Sequence, residues 1–430
     1  MADDPAADPA QTTLLRRWWA VAGLALFGAT WKLWTPQTEF PQVPLLGRAG
    51  SLPVFWDWTA SGILLGSLAT AAWNPISRRS WLAFSVSLGV LMLLDQHRLQ
   101  PWAWQLLLMA IWWNSTSERR HSNLPCIALT ISIYFWSAVS KLDAGFAASH
   151  GQTLIAAMFR SVGINAVNWP ASVKSWLAFS LPVGELLVAV GLSWSRTRQA
   201  ALIAATALHV GLILALGPLG LGHRPGVLLW NLAFIGHDWL LFGGRACRTC
   251  SATQSVSERM TAPTRLDAAP SGQRDSKLTT MKLAIRVSLL VFVCVWPMTE
   301  HWGLCDRWLA WSVYSSRSER VSVLFNDDGL RRLPESARRC VVDGELPLDR
   351  WSLTALDVPI YPQLRFQFGV VEWLRQCCGD DNLVEVIVQH SQAAERGIER
   401  LAVGQLDERR RTFWINTQPR PEFSHSRLTQ

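Results

Sequence analysis

The feature that most constrains this chain is the distribution of its charges. Long apolar windows without a charge alternate with short segments in which arginine, lysine, aspartate and glutamate gather. This block pattern is typical of a chain that places its apolar windows in a bilayer, because a charge at mid-membrane is very costly. The composition agrees, since half of the residues are apolar and only 17% are charged.

Several windows approach the length of about 20 residues that a membrane-spanning helix needs. They cover residues 17–35, 56–74, 80–95, 101–114, 124–141, 175–194, 199–217, 226–243 and 283–300. The windows at 80–95 and 101–114 are short, and they form a re-entrant hairpin if they do not cross. The sequence therefore predicts an all-α polytopic membrane helix bundle of about eight or nine transmembrane segments, followed by a small C-terminal α+β soluble domain.

Tryptophan supports the same interpretation. The chain has 25 tryptophans, and most lie at the edges of apolar windows, as Trp34, Trp56 and Trp194 do. An indole has an apolar body and one N–H donor, which suits the headgroup level of a bilayer. A tryptophan-rich soluble core would have to place these rings at window edges by chance.

Five parts are predicted along the chain. They are a disordered tail (1–16), a transmembrane helix bundle (17–243), a flexible cytoplasmic linker (244–282), a final transmembrane helix (283–302) and an extracytoplasmic α+β domain (303–430). In the last part, the alternation of Val321, Val323 and Phe325 predicts a strand at 320–325. Further strands are expected at 339–342, 382–389 and 399–403, and a helix at 362–377.

Basic residues predict the orientation. Arginine pairs at 16–17, 78–79, 119–120 and 196–198, together with the basic linker, fall on one side of the predicted bundle. The positive-inside rule makes that side cytoplasmic, which puts the chain in the plasma (inner) membrane with its N-terminus inside and its C-terminal domain outside. The net charge of +8 lies mostly at window ends, so the predicted partner is the lipid bilayer and not a nucleic acid.

Ionisable groups inside apolar windows are candidates for function, because each is costly there. Lys141, Glu185 and His209 are the predicted catalytic residues. The other candidates in these windows are Asp143, Asn231, His237 and Asp238. Glu185 or Asp238 would accept a proton, His209 would relay it, and Lys141 would bind an anion or act as a base. The structural alternatives are that Lys141 and Asp143 pair at a helix end and that His209 only bridges helices.

A second polar cluster lies between the two short windows. It contains Asp95, His97 and Arg98, and Arg98 is in reach of Asp95. Short flanking windows would hold these groups at or below the membrane surface, where an unpaired charge is unfavourable. The alternative is an ordinary polar turn before Pro101, which begins the next helix.

The chain has eight cysteines. Cys247 and Cys250 form a CxxC in the predicted linker, which is a redox pair, half of a zinc site or two incidental thiols. No second pair lies nearby, so no metal site is predicted. Disulfides persist in an outer domain, and a bond from Cys377 or Cys378 to Cys340 or Cys305 is favoured over a strained vicinal bond.

Three strings resemble a known family. They are residues 134–143 with their Ser-Lys-Leu core, Ala-Leu-His at 207–209 and Leu-Leu-Trp-Asn at 228–231. They resemble the HTTM (vitamin K-dependent gamma-carboxylase-like) membrane domain and, more loosely, DoxX/MauE-like redox-associated membrane proteins. The likeness covers about residues 10–300. It implies a functional lysine at Lys141, a membrane histidine at His209 and a quinone as the cofactor.

Three functions follow as hypotheses. The first is a redox- or quinone-linked role at a polar site within the helices. The second is a non-catalytic membrane anchor or scaffold that presents an extracytoplasmic domain to a protein partner, and the third is a transporter. The sequence contains no Walker loop, dinucleotide fingerprint, HExxH or Gly-x-Ser-x-Gly. Whether the protein is an enzyme, and on which substrate, stays open at this stage.

Overall fold

The computed structural model describes residues 9–115, 123–166, 168–244, 287–390 and 397–421. Its first part is helical. The helices are Pro9–Ala29, Trp31–Trp34, Phe55–Trp73, Arg78–Leu94, Pro101–Ser115, Leu124–Val139, Ala144–Ala148, His150–Ser161, Ala171–Ser193, Arg198–Leu216, Pro225–Phe242 and Val287–Trp302. The first helix begins at Pro9, so the second half of the predicted disordered tail is helical. Most of the predicted linker, with Cys247 and Cys250, lies outside the described residues.

The predicted polytopic bundle is wrong. Among the described residues, only Ala171–Ser193 and Arg198–Leu216 are both long and apolar enough to cross a membrane. Leu124–Val139 and Val287–Trp302 are apolar but shorter. The sequence windows overstated the count because several helices fall short of about 20 residues and others are diluted by polar groups. The predicted position of the C-terminal domain outside the membrane depended on nine crossings and loses that basis.

Local signals set several helix ends. Ser77 accepts a hydrogen bond from the Ser80 backbone N–H at the start of Arg78–Leu94, and Pro225 occupies the first turn of its helix. Asp143 accepts a bond of 2.7 Å from the Phe146 N–H and so begins the short helix Ala144–Ala148. Lys141 and Asp143 therefore lie in a tight connection, next to the end of Leu124–Val139.

Four helices pack into the group that carries the candidate site. Ala171–Ser193 packs against both Leu124–Val139 and Arg198–Leu216, and Arg198–Leu216 packs in turn against Pro225–Phe242. Pro225–Phe242 also contacts Pro9–Ala29. The polar residues of four separate sequence windows are thereby brought to one place.

The C-terminal part is an α+β unit with a four-stranded antiparallel sheet in the order β2-β1-β3-β4. The strands are β1 (Arg320–Phe325), β2 (Glu345–Pro347), β3 (Leu383–Gln389) and β4 (Ile398–Leu401). The helices are Asp327–Arg332, Glu335–Arg338, Leu348–Leu356, Leu364–Cys378 and Leu406–Arg411.

The predicted strand at 320–325 is confirmed, and those at 382–389 and 399–403 are confirmed to within two residues at each end. The predicted helix at 362–377 is confirmed as Leu364–Cys378. The predicted strand at 339–342 is wrong. Its first residues follow the short helix Glu335–Arg338, and only Val342 makes an isolated bridge, to Glu345.

The α+β unit and the helical part share one hydrophobic core. Phe40 packs on Trp351 with ring centroids 4.6 Å apart, and a Cβ on Gly369 would lie 2.7 Å from Val43. The Arg420 backbone N–H donates to the Gln42 carbonyl at 3.0 Å. The C-terminal part therefore packs against the connection 35–54.

Candidate functional site

A cavity of about 80 Å³ lies among the four packed helices and the segment that follows Val287–Trp302. Its polar lining includes Lys141, Glu185, His209 and Asn231, the residues that the sequence proposed in separate windows. Its other walls are largely apolar or aromatic: Ile133, Tyr134, Ser137, Leu208, Leu212, Leu216, Val227, Trp230, Phe234, Trp311, Val313 and Tyr314. A small set of polar groups in an apolar pocket is the usual composition of a ligand site.

Lys141 and Glu185 form a buried ion pair at the wall of this cavity. The Lys141 Nζ lies 2.6 Å from Glu185 Oε1 and 2.8 Å from Oε2, and both side chains are 8% exposed. Lys141 follows Leu124–Val139, and Glu185 lies within Ala171–Ser193, one turn after Pro182. Because the pair is neutral as a unit, it can stay buried, and the ammonium still has a third N–H for a ligand.

The tautomer of His209 follows from its neighbour. Asn231 Nδ2 donates to the Val227 carbonyl at 2.8 Å, which turns the amide oxygen toward His209. That oxygen lies 2.8 Å from His209 Nδ1 and can only accept, so Nδ1 carries a proton. The other ring nitrogen, Nε2, is left to interact with Tyr134.

Tyr134 connects His209 to Asp238. Its hydroxyl lies 2.7 Å from His209 Nε2 and 2.6 Å from Asp238 Oδ2, but it has one hydrogen. Both bonds form only if one further proton is present, either on Asp238 with His209 neutral or on His209 with Asp238 ionised. These three residues, which we call the proton relay, therefore share one exchangeable proton.

His237 has a different role from its neighbour Asp238. The Trp19 indole N–H donates to His237 Nδ1 at 2.8 Å, so that nitrogen is an acceptor. His237 Nε2 then carries the proton and donates to Thr130 Oγ1 at 2.7 Å, and Thr130 donates to the Cys126 carbonyl. All its bonds are used in a single neutral form, so His237 ties three helices together and does not face the cavity.

The second predicted cluster, residues 95–98, does not line the cavity. We call it the polar turn. Its four residues are fully buried under the C-terminal part. Arg98 lies 2.6 Å from Asp57 Oδ1, and Arg420 lies 2.5 Å from Asp57 Oδ2. The predicted pairing of Arg98 with Asp95 is replaced by this shared carboxylate, because Asp95 accepts from Gln37 and from the backbone of Val43 and His97.

Burial shifts two titrating groups of the polar turn in opposite directions. Desolvation raises the pKa of Asp95 to about 6, although Arg98 and three hydrogen bonds oppose the shift. Desolvation lowers the pKa of His97 to about 4, with Arg98 acting in the same direction and a bond to the Pro359 carbonyl opposing it. The carboxylate of Asp57 has a lowered pKa because Arg98 and Arg420 outweigh its desolvation.

The remaining candidates have structural surroundings. Asp143 Oδ1 accepts from the Phe146 N–H and from the Ser316 hydroxyl, so it holds two connections together. Cys305, Cys340, Cys377 and Cys378 are free thiols, which makes the predicted disulfide wrong. In the described part of the chain, no three His, Cys, Asp or Glu side chains are grouped to hold a metal ion.

Sequence analysis missed three aromatic residues of the site. Tyr134 belongs to the string that carries the family resemblance, but the sequence gives no sign that it joins His209 to Asp238. Trp311 and Tyr314 lie beyond every apolar window, in a segment whose irregular backbone has no periodic signal. Only the folded chain brings them to the cavity.

Comparison with known proteins leaves the site to be interpreted from its own geometry. No protein-family model matches the chain, and no curated protein and no solved structure shows significant similarity to it.

Proposed function

We propose that this chain is a membrane-associated protein that binds an apolar, hydrogen-bonding ligand of the quinone class in the cavity and exchanges a proton with it. The observation that carries the proposal is the convergence of Lys141, Glu185, His209 and Asn231 on one cavity. Four unrelated stretches of sequence supply these groups. The HTTM resemblance, which suggested a quinone, rests on strings that contain three of these four residues, all but Glu185.

The chain's own residues have separable roles in this proposal. Lys141, held by Glu185, donates a hydrogen bond to an oxygen of the ligand. His209 Nε2 and Asp238 share the relay proton through the Tyr134 hydroxyl. Tyr134 lines the cavity, so the proton would pass between the relay and the ligand through its hydroxyl. A bound quinone or quinol supplies reversible two-electron, two-proton chemistry. Asn231 fixes the His209 ring and its tautomer.

The lining fits one edge of such a ligand. The cavity offers apolar walls and a few convergent polar groups. Its volume of about 80 Å³ is smaller than the roughly 150 Å³ cavity that takes up benzene in an engineered protein. One wall of the cavity consists of half-buried side chains, those of Leu208, Leu212, Val227 and Trp230. Only this layer of side chains separates the cavity from the outer surface of the helices. A ring with an apolar tail would enter between these side chains.

The partner that covers the apolar surface is proposed to be a lipid bilayer. Both helices that are long enough to cross a membrane expose large apolar side chains. Trp176, Leu187 and Val190 are exposed on one, and Ile203 and Val210 on the other. The protein should stay with the membrane pellet after an alkaline carbonate wash. A chain that is monodisperse in plain buffer without detergent contradicts this part of the proposal.

The ligand is tested by titrating the purified protein with decylubiquinol in a calorimeter. Lys141→Met is expected to weaken binding by about tenfold to a hundredfold, the effect of losing one charged hydrogen bond. Lys32→Met is the matched control. Lys32 also pairs with a carboxylate at 2.6 Å, that of Asp357, but it does not line the cavity.

Wild type and Lys32→Met should bind alike. The proposal fails if the wild-type protein does not bind decylubiquinol, or if Lys141→Met and Lys32→Met have the same affinity. A circular dichroism spectrum of each variant shows whether a loss of binding comes from a loss of fold.

A further inference from the structure

A strained segment covers one side of the cavity. It is residues 308–316, which we call the lid segment, and two of its aromatic residues, Trp311 and Tyr314, line the cavity. Both have left-handed backbone conformations, with φ of +64° and +61°. The only other described non-glycine residues with positive φ are Asp343 and Asp357, and aspartate tolerates this region. Bulky aromatic residues do not, so the surroundings must hold the lid segment in place.

Tyr314 also borders a second space. An outer groove of about 460 Å³ lies against the same ring and is lined by Ser149, His150, Thr153, Leu154, Leu221, His223 and Arg320. Tyr314 is the one residue that lines both spaces among those described. Its ring therefore stands as the partition between the outer groove and the Lys141–Glu185 cavity.

Hydrogen bonds hold the lid segment on both sides of Tyr314, whereas the Tyr314 side chain is held by packing alone. On one side the Ser312 N–H donates to the Arg307 carbonyl at 2.8 Å, and on the other Ser316 donates to Asp143 at 2.7 Å. The Tyr314 ring meets His223 edge-on, with centroids 6.1 Å apart. Its hydroxyl makes no hydrogen bond to a described residue. Such a residue can turn aside while its neighbours stay in place.

We infer that Tyr314 is a gate and that a polar, water-borne reactant reaches Lys141 and Glu185 through the outer groove. This inference rests on the proposed function and adds a second class of reactant to it. With the ring in place the cavity holds about 80 Å³, and with the ring turned aside it joins a groove of about 460 Å³. The joined space falls in the range of roughly 300–1,000 Å³ that is usual for ligand sites.

The lining of the groove indicates which reactant it favours. Ser149 and Thr153 present hydroxyl groups, and His150 and His223 present imidazoles. Arg320 presents a guanidinium, whose Nε lies 3.9 Å from the carboxylate of Asp349. The two imidazoles and the guanidinium can donate hydrogen bonds, whereas Ser149 and Thr153 already donate theirs to the carbonyls of Gly145 and Ser149. None of the lining residues is a carboxylate. The groove is therefore suited to a small polar molecule that carries hydrogen-bond acceptors, whereas the apolar ligand enters between the helices.

The gate is tested by the access of a charged reagent to the cavity. Ser137 lines the cavity, so Ser137→Cys reports entry of a water-soluble sulfonate-bearing methanethiosulfonate. Ser51→Cys, on an exposed loop, is the matched control. In the presence of Tyr314 the Cys at 137 should react slowly. Tyr314→Ala should raise its rate by at least about tenfold, as expected when a closed state loses its main barrier, and Tyr314→Phe should leave the rate unchanged.

Each outcome decides the matter. The gate is supported if only the reaction at 137 accelerates, after subtraction of the reaction of the native cysteines. It is overturned if Tyr314→Ala leaves that rate unchanged, or if the Cys at 137 already reacts as fast as the one at 51. Tyr314→Asn, which tolerates positive φ, repeats the test if the alanine variant does not fold. The result is independent of decylubiquinol binding, so the two proposals fail separately.

Discussion

The cavity and the polar turn are both clusters of buried ionisable groups, yet they differ in how their hydrogen bonds are used. At the polar turn, Arg98 shares the carboxylate of Asp57 with Arg420, and Asp95 accepts from three donors. Protein groups supply these bonds, and none of the polar-turn residues lines the cavity or the outer groove. In the cavity, Lys141 keeps a free N–H, and the proton relay holds a proton that can be in two places.

This difference teaches how to separate a structural cluster from a functional one. Burial of charge alone does not distinguish them, because each cluster contains a buried ion pair. The distinguishing feature is open volume next to the polar atoms, since His97 Nδ1 in the polar turn also has no hydrogen-bond partner. The polar turn should therefore govern stability, and the cavity should govern ligand binding and proton exchange.

The largest effect is expected at Asp57. Asp57→Ala leaves the fully buried guanidinium groups of Arg98 and Arg420 without their carboxylate. Breaking a buried pair in this way costs about 3–5 kcal/mol. Denaturant unfolding of the purified protein measures it. Asp328→Ala is the control, since its pair with Arg331 is exposed and should contribute less than about 1 kcal/mol. If the two variants lose the same free energy of unfolding, the shared carboxylate of Asp57 does not stabilise the packing of the C-terminal part.

The next largest effect is a dependence of stability on pH at His97. Its folded pKa of about 4 lies below the usual 6.5, so the unfolded chain binds the proton first and stability falls as the pH falls from about 6.5 to 4. The raised pKa of Asp95, about 6, acts in the opposite sense, because the folded chain binds that proton first as the pH falls from about 6 to 3.8. The two contributions, about 3 kcal/mol each, nearly cancel in the wild type.

His97→Gln removes one side of this balance. Relative to the wild type, the variant should become progressively more stable as the pH falls from about 6.5 to 4, by up to about 3 kcal/mol, because it no longer has the loss of stability that His97 causes over this range. Unfolding free energies measured at several pH values test it. A constant difference between the two proteins across this range would mean that the pKa shift of His97 is absent.

A smaller effect is expected at Tyr134. Tyr134→Phe keeps the ring but leaves His209 Nε2 and Asp238 Oδ2 without a partner, which should cost about 1–3 kcal/mol. Tyr361→Phe is the matched control, since Asp306 keeps both of its bonds from Arg365 after the change. Its cost should be lower. If the two substitutions lower the free energy of unfolding by the same amount, the Tyr134 hydroxyl is not the hydrogen-bond partner of both His209 and Asp238.

Sequence reasoning identified the polar residues of the cavity but overestimated the membrane region. Lys141, Glu185, His209 and Asn231 could be selected because an ionisable or amide group in an apolar window is conspicuous on its own. That they meet could not be predicted, since it depends on how four helices pack. Asp238 and His237 are adjacent in sequence and have opposite roles, which only their hydrogen-bond partners distinguish.

Two errors have the same physical origin. The apolar windows predict helices of bilayer length, and the same windows place the polar turn at or below the outer membrane surface. Apolar windows and buried polar turns also arise where two parts of a chain share one core, as Phe40 and Trp351 do here. The strands at 320–325 and 382–389 could be predicted because the alternation of apolar residues is a local signal. This signal does not depend on which part of the chain packs against the strand.

The central claim is that a ligand of the quinone class binds in the cavity lined by Lys141 and His209. The most direct test is photolabelling with an azido-quinone, in the presence and absence of excess decylubiquinol, followed by mapping of the labelled peptides by mass spectrometry. Labels that decylubiquinol displaces should fall on residues lining the cavity, on Leu124–Val139 and in the lid segment. Displaceable labels at the polar turn, or label that no quinol displaces, would contradict the claim.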